Sequence, residues 1–330
     1  MPTTRRQLLA FTPAFIAATA AALFSPAVLA QAYPSKPIRI VVPFPAGGGT
    51  DTIARETSQK VAAATGWTFV IDNKPGAGGN LGVDTVAKSP ADGYTIVIGQ
   101  TSNLAINPTL YAKMPYDSQK DLAPIVLLAN APLVMVTGAG TPLKTLADAV
   151  AAAKAKPGTL NFASPGNGTV AHLTSVMFQK AAGVQTQHIP YKGAAQALTD
   201  VMSGTVELYM SSVPTLIGQI RNNKLRALAV TSARRVDDLP NVPTINESGY
   251  AGFDAVTWFG LLAPAGTPRD VITRLNVEFN KALKNAELRK VLGDQGADPA
   301  GGTPEQFAAV IRDDIPRWGK VVKESGATVD

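Results

Sequence analysis

Two glycine-containing segments carry the residue pattern best suited to specific chemistry. Loop 1 is Pro-Phe-Pro-Ala-Gly-Gly-Gly-Thr-Asp at residues 43–51, and loop 2 is Ala-Ser-Pro-Gly-Asn-Gly-Thr at residues 163–169. Each follows an apolar run and precedes a helical pattern. The first N–H groups of a helix have no internal acceptor, and the helix dipole makes that end partly positive. Because glycine lets the backbone approach an anion closely, both loops are predicted to bind a carboxylate or phosphate.

Other interpretations of the two loops remain open at this stage. Neither loop has the Gly-Lys-Ser/Thr ending of a nucleotide P-loop or the GxGxxG spacing of a dinucleotide-binding fold. Either loop can also be a simple tight turn. Asp51 argues against an anion site, because a carboxylate repels an anion, unless it caps the helix or holds a water molecule.

Polar and aromatic residues near predicted strand ends extend the candidate site, because α/β clefts hold ligands there. His172 is expected in the first turn of the helix after loop 2, where it either reaches the ligand or has a packing role. His188 lies inside a predicted strand and is interpreted as structural. The predicted ligand-binding residues are Phe44, Ala46, Gly47, Gly48, Gly49, Thr50, Asp51, Ser102, Asn103, Ser164, Gly166, Asn167, Gly168, Thr169, His172, Tyr191 and Ser211.

The sequence contains no recognisable catalytic or metal-binding constellation. It has no cysteine, two histidines, no HExxH pair and no GxSxG elbow. We therefore expect no cofactor, no metal and no enzymatic activity. A periplasmic hydrolase or isomerase is the less favoured alternative.

The composition is that of a globular protein with enough apolar material for two cores. The chain has 330 residues, of which 45% are hydrophobic and 16% charged. This length exceeds the usual size of a single core, so two domains are expected. The net charge of +6 is spread along the chain. Since nucleic-acid binders cluster their basic residues, no nucleic-acid partner is expected.

The first 32 residues have the layout of a bacterial export signal. Arg5 and Arg6 precede a long uncharged run, and small residues near Ala30 and Ala32 suit a signal peptidase. A membrane anchor is the alternative, and the adjacent arginines leave the Sec and twin-arginine routes both open. Removal of this segment leaves a net charge of +4. The absence of cysteine excludes a lipoprotein and disulfides. No later segment approaches about 18 uninterrupted apolar residues, so we expect a soluble periplasmic protein, and we expect it to be a monomer.

Short apolar runs alternate with helical patterns, which favours an α/β fold with largely parallel, buried sheets. The domain prediction is a discontinuous first lobe (33–134 and 259–330), an inserted second lobe (135–258) and a ligand cleft between them. Predicted strands span 38–42, 68–71, 94–98, 125–128, 133–136, 160–163, 187–190, 206–210, 225–230 and 256–262. Predicted helices span 52–64, 143–156, 170–182, 194–203, 268–284, 286–295 and 304–324.

Ordered motifs along the mature chain resemble the substrate-binding receptors of tripartite tricarboxylate transporters, the Bug family. They are YPSKPIR at 33–39, PFPAGGGTD at 43–51, NKPGAGGN at 73–80, ADGY at 91–94, GNGTVAHL at 166–173, PYKG at 190–193, RALAVT at 226–231 and LPNVPT at 239–244. The resemblance implies a two-lobed Venus-flytrap fold of type II. It also implies small carboxylate ligands, held largely by backbone N–H groups and waters, and delivery to a membrane permease of one large and one small subunit.

Two questions stay open after the resemblance is taken into account. The strand end that helps to select the ligand in the family often carries an acid or amide, whereas this chain has Met-Ser-Ser-Val at 210–213. The ligand is therefore left as a di- or tricarboxylate or an aromatic acid. The same fold also serves ligand sensors that dock on a histidine kinase, so a two-component sensor kinase is the alternative partner.

Overall fold

Strands and helices alternate along most of the chain. A computed structural model of the protein describes residues 33–329; the predicted export signal lies outside them. The strands are β1 Ile38–Val42, β2 Phe69–Asn73, β3 Thr95–Gln100, β4 Leu122–Gly138, β5 Asn161–Ser164, β6 Gln187–Pro190, β7 Leu208–Ser212, β8 Leu225–Val230, β9 Val256–Pro264 and β10 Asp298–Pro299. The helices are α1 Gly49–Thr65, α2 Asn80–Ala87, α3 Asn107–Leu110, α4 Leu146–Ala155, α5 Val170–Ala182, α6 Ala194–Met202, α7 Val213–Arg221, α8 Arg269–Leu283, α9 Ala286–Asp294 and α10 Pro304–Ser325.

The strands form a mixed sheet in the order β2-β1-β3-β9-β4-β7-β5-β6, with β8 and β10 paired to β4. Strands β2, β1 and β3 are parallel, as are β6, β5 and β7. The central pairs β3–β9, β9–β4 and β4–β7 are antiparallel. The expectation of largely parallel sheets is therefore wrong at the centre. A continuous apolar run shows that a strand is buried on both faces, but it carries no information on the direction of the neighbour.

Strand β4 has 17 residues and runs through both halves of the sheet. Two separate strands were predicted here, because Asn130 and Pro132 interrupt the apolar pattern. In the structure β4 pairs with β9 up to Pro132 and with β7 and β8 from Leu133 onward. Proline has no N–H to donate, and it lies where the strand changes partners, so the strand continues.

Most of the other strands and helices lie within a few residues of their predicted bounds, and several short elements were not predicted. Helix α5 and strands β1, β6 and β8 have the predicted bounds. Helix α2, a π-helical turn at Ser102–Ile106, α3 and α7 were not predicted. Helix α7 follows β7 directly, and Pro214 near its N-terminus suits a helix start.

Helix α10 closes one side of the core against β4 and β9. Phe307 and Trp318 on α10 are buried, and Phe307 packs edge to face on Trp258 of β9. The Trp258 indole N–H donates to Asp314 at 2.6 Å. A Cβ on Gly260 would lie 2.3 Å from the Phe307 ring, so only glycine allows this close packing. Within residues 33–329, no helix has the length and apolarity needed to cross a bilayer.

Candidate functional site

A cavity of about 1050 Å³ opens at the carboxyl ends of β1, β3, β5, β6 and β7. This is where strands lead into helices, so helix N-termini surround it. Its lining residues include both glycine loops, the segment 75–79, residues 191–196 and the end of β7. Their positions are Pro43, Phe44, Pro45, Ala46, Gly47, Gly48, Gly49, Thr50, Pro75, Gly76, Ala77, Gly78, Gly79, Gln100, Ser102, Tyr111, Leu133, Pro165, Gly166, Asn167, Thr169, Val170, Ala171, Tyr191, Lys192, Gly193, Ala194, Ala195, Gln196, Leu198, Ser211, Ser212, Thr215, Thr257, Phe259 and Val329.

Loop 1 presents the start of α1 to the cavity. Gly48 is the N-cap in an extended conformation, and no side chain caps this helix. As the first residues of α1, Gly49 and Thr50 have N–H groups without an intrahelical acceptor. The N–H of Gly47 is different, because it donates to Asp51 Oδ2 at 3.0 Å. The donors that loop 1 can offer an anion therefore lie from Gly48 onward.

Asp51 holds loop 1 in shape from behind. It is 4% exposed and accepts hydrogen bonds from Gly47, from Arg55 Nε at 2.9 Å and from Asn73 Nδ2 at 3.0 Å. Burial by itself would raise the pKa of Asp51, but the bonds from Arg55, Gly47 and Asn73 outweigh it and lower the pKa. Asp51 does not line the cavity. Its negative charge is compensated locally by Arg55 instead of facing the ligand space.

Loop 2 is held by hydrogen bonds among its own residues and by one bond to His172 of α5. The N–H of Gly166 donates to Ser164 Oγ, and the N–H of Thr169 donates to the Gly166 carbonyl. The N–H of Gly168 donates to His172 Nδ1 at 3.1 Å. These three amides are thus already paired, whereas the first residues of α5, Val170 and Ala171, line the cavity with N–H groups that have no intrahelical acceptor.

Two stacked histidines support loop 2 from the side away from the cavity. The rings of His172 and His188 are 3.8 Å apart and nearly parallel. His188 Nε2 lies 2.7 Å from Ser164 Oγ. Burial lowers the pKa of both imidazoles to about 4, and the charge of His188 further lowers the pKa of His172. Both rings are therefore neutral near pH 7, and His172 Nδ1, which accepts from Gly168, carries no proton.

Two further helix N-termini reach the cavity. The sequence predicts a helix at 194–203 but did not assign its start to the site, and α7 was not predicted. Helix α6 begins after Gly193, and its residues Ala194 and Ala195 line the cavity. Helix α7 contributes Ser212 and Thr215, whose hydroxyl oxygens are 3.0 Å apart. Both helix starts could have been found from the sequence, because in each segment a turn residue stands between a strand and an amphipathic helical pattern.

The electrostatics of the cavity favour a negatively charged ligand. The N-termini of α1, α5, α6 and α7 all contribute lining residues. Each places the partly positive end of a helix dipole there. Among the described residues that line the cavity, none is aspartate or glutamate, and Lys192 is the only one with a charged side chain. An anion entering this space meets N–H donors, and it meets no carboxylate from the lining residues within 33–329.

Comparison with known proteins places this architecture in a family. The family model described as the tripartite tricarboxylate transporter family receptor matches residues 53–327. The chain belongs to this receptor family. BugT of Bordetella pertussis is 40% identical over 97% of this chain and 98% of its own length. The resemblance inferred from the sequence motifs is thereby confirmed.

Solved structures agree with the assignment to the receptor family. An R. palustris protein solved with adipate matches 90% of this chain and 99% of its own, at 35% identity and a TM-score of 0.87. MatC from Rhodopseudomonas palustris, solved with bound malate, matches 88% and 100% of the two chains, at 30% identity and a TM-score of 0.81. The predicted α/β fold of a periplasmic binding protein is confirmed. This receptor family consists of periplasmic solute-binding proteins and not of enzymes.

In this member of the receptor family, most of the predicted ligand-binding residues share one cavity. Those that line it are Phe44, Ala46, Gly47, Gly48, Gly49, Thr50, Ser102, Gly166, Asn167, Thr169, Tyr191 and Ser211. Asp51, Asn103, Ser164, Gly168 and His172 lie behind the lining, where four of them hold the two loops. Asn103 instead accepts from the Gln100 N–H at 2.9 Å. The Ser102 hydroxyl is buried with no hydrogen-bond partner among the described residues.

Proposed function

We propose that this protein is exported to the periplasm and binds a small carboxylate for uptake by a tripartite tricarboxylate-type permease. In this proposal residues 1–32 are the cleaved export signal, and the permease has one large and one small membrane subunit. The observation that carries the proposal is the cavity itself, which combines four helix N-termini with a lining that, among the described residues, has no acidic side chain. That combination favours one or more carboxylates.

The first carboxylate is assigned to the start of α1 and the start of α5. Gly49 and Thr50 from loop 1 line the same cavity as Val170 and Ala171 after loop 2. The N–H groups of all four residues lie in the first turn of a helix, where they have no intrahelical acceptor. Backbone donors held in fixed positions bind an anion without a large loss of side-chain entropy. The adipate and malate in the two R. palustris structures are carboxylates, which supports this ligand class.

The proposal includes two lobes that close on the ligand, with the boundaries predicted from the sequence. Residues 33–134 and 259–330 form one lobe, and residues 135–258 form the other. Both boundaries fall inside long strands, β4 and β9. Because β4 changes partners at Pro132, the chain near this residue is the place where a bend would least disturb the pairing.

The test is a ligand screen on the full chain expressed in a Gram-negative host and purified from its periplasmic fraction. Mass spectrometry would identify any co-purified acid, and calorimetry would measure binding of malate, adipate, tricarboxylates and aromatic acids. We expect at least one acid to bind and to be recovered unchanged. Absence of binding across the whole panel would contradict the proposal, and absence of the protein from the periplasmic fraction would contradict export.

A further inference from the structure

Lys192 is distinguished from every other residue that lines the cavity. Among residues 33–329 it has the only charged side chain in the lining, and it makes no ion pair with any of them. Lys192 lines the cavity and is also exposed to solvent. The other donors around the cavity are neutral amides and hydroxyls. A neutral donor can bind a carboxylate, but it does not neutralise a second negative charge.

The backbone on both sides of Lys192 is fixed to loop 2. The N–H of Tyr191 donates to the Ser164 carbonyl at 3.0 Å, and the N–H of Gly193 donates to the Pro165 carbonyl at 3.1 Å. Gly193 has a φ of 126°, which favours glycine and lets α6 begin immediately afterwards. Lys192 is therefore held beside loop 2, while its four-carbon stem leaves the ammonium group free to move.

Asp200, the acidic residue nearest to Lys192 in sequence, already accepts a hydrogen bond from another residue. The Tyr191 hydroxyl donates to Asp200 Oδ2 at 2.6 Å. Burial and this bond raise the pKa of Tyr191 to about 12, so the phenol keeps its proton. Asp200 does not line the cavity, and no ion pair joins it to Lys192. The lysine charge is therefore available to a group that enters the cavity.

We infer that Lys192 is a specificity-determining residue that recognises a second anionic group on the ligand. The inference rests on the proposed function, in which the amides of α1 and α5 hold the first carboxylate. The receptor then prefers dicarboxylates to monocarboxylates of the same size. A flexible lysine suits this role, because its ammonium group reaches anions at different distances, whereas a planar guanidinium fixes one geometry.

The experiment compares each dicarboxylate with its own monomethyl ester. Calorimetry would measure the binding of adipate, monomethyl adipate, malate and monomethyl malate to the wild-type protein and to Lys192→Gln. Lys192→Arg keeps the charge. Lys284→Gln removes one exposed lysine that does not line the cavity, so it controls for net charge. Thermal unfolding of all variants would verify that each one is folded.

We expect Lys192→Gln to weaken dicarboxylate binding by about tenfold or more, as loss of a charge-assisted contact does. Ester binding should change by less than about threefold, and Lys284→Gln should stay close to wild type. Lys192→Arg keeps the charge but not the flexible ammonium group, so it should weaken dicarboxylate binding less than Lys192→Gln does. Equal weakening of diacid and ester, or no weakening of either, would overturn the inference. A wild-type protein that binds only monocarboxylates would overturn it but leave the proposed function standing. Failure to bind any acid would instead contradict the proposed function.

Discussion

At the scale of single residues, the site depends on positions that lack a side chain as much as on positions that have one. Gly48 and Gly49 bring the backbone of loop 1 to the cavity surface. A Cβ on Gly49 would lie 3.1 Å from the hydroxyl of Ser212, the residue before α7, so the two helix starts approach each other closely here. Gly48 is less crowded, since the nearest atom to its Cβ would be 3.7 Å away. The two glycines can therefore be tested separately.

Gly48→Val should weaken ligand binding with little effect on stability. Gly48 has a negative φ and an extended conformation that valine also adopts, and a Cβ there meets no clash. The change should therefore lower the free energy of unfolding by less than about 1 kcal/mol. The branched side chain would occupy the space where an anion meets the first amides of α1, so affinity should fall by about 100-fold or more, the cost of about 3 kcal/mol.

Gly140→Val is the matched control for this prediction. Gly140 lies in an exposed turn outside the cavity, and a Cβ there also meets nothing within 4 Å. Calorimetry should give wild-type affinity for the control, and urea unfolding should give similar stability for both variants. Wild-type affinity in Gly48→Val would contradict the placement of the anion at the start of α1.

The residue types in the sequence located both loops, but they did not show which backbone N–H groups of the loops remain free to bind an anion. Glycine, a preceding strand and a following helix are local signals, and they located both loops. The pairing of Gly47 with Asp51 and of Gly168 with His172 depends on side-chain rotamers in the folded chain. That pairing shifts the expected donors toward Val170 and Ala171, which have no distinctive residue type. The stacking of His172 on His188 joins two segments that are distant in sequence, so no local sequence pattern predicts it.

At the scale of elements, α5 and β6 are linked to loop 2 through the two histidines. His172 on α5 accepts from Gly168, and His188 on β6 contacts Ser164. Both rings titrate near pH 4 in the folded protein, below the ordinary value of 6.5. Between these two values the unfolded chain binds more protons than the folded chain. The free energy of unfolding contributed by the pair is therefore fully present above pH 6.5 and is lost as the pH falls toward 4.

Acidification should accordingly destabilise the protein through this pair. We expect the free energy of unfolding to fall by about 1–2 kcal/mol between pH 6.5 and pH 5, with the contribution of half-buried His188 reduced by solvent. The chain has only two histidines, and the ordinary pKa values of carboxyl groups lie lower. Urea unfolding at several pH values would measure the slope. The double variant His172→Asn with His188→Asn should flatten it, and a slope that persists in this variant would assign the effect to other groups.

At the scale of the whole molecule, β4 is the strand that connects the two halves of the sheet. Beyond Pro132, the Leu133 N–H donates to Thr231 Oγ1 at 2.9 Å, and the Thr231 hydroxyl donates to the Ala255 carbonyl at 2.6 Å. Three segments that are distant in sequence thus meet at one buried threonine. The sequence predicted strands on both sides of this point but not their continuity, because the pairing that keeps Pro132 in a strand comes from β9.

Closure of two lobes on a carboxylate should make the protein more compact. A compact chain of about 300 residues has a radius of gyration of about 19 Å, and an open cleft raises this value. Small-angle scattering of the ligand-free protein should give a larger radius, which falls toward that limit when adipate or another bound acid is saturating. Gly48→Val provides the control, because it should keep the larger radius at the same acid concentration. An unchanged radius in wild-type protein that calorimetry shows to be saturated would mean that the ligand binds without closure, so the lobes would then act as one rigid body around a preformed cavity.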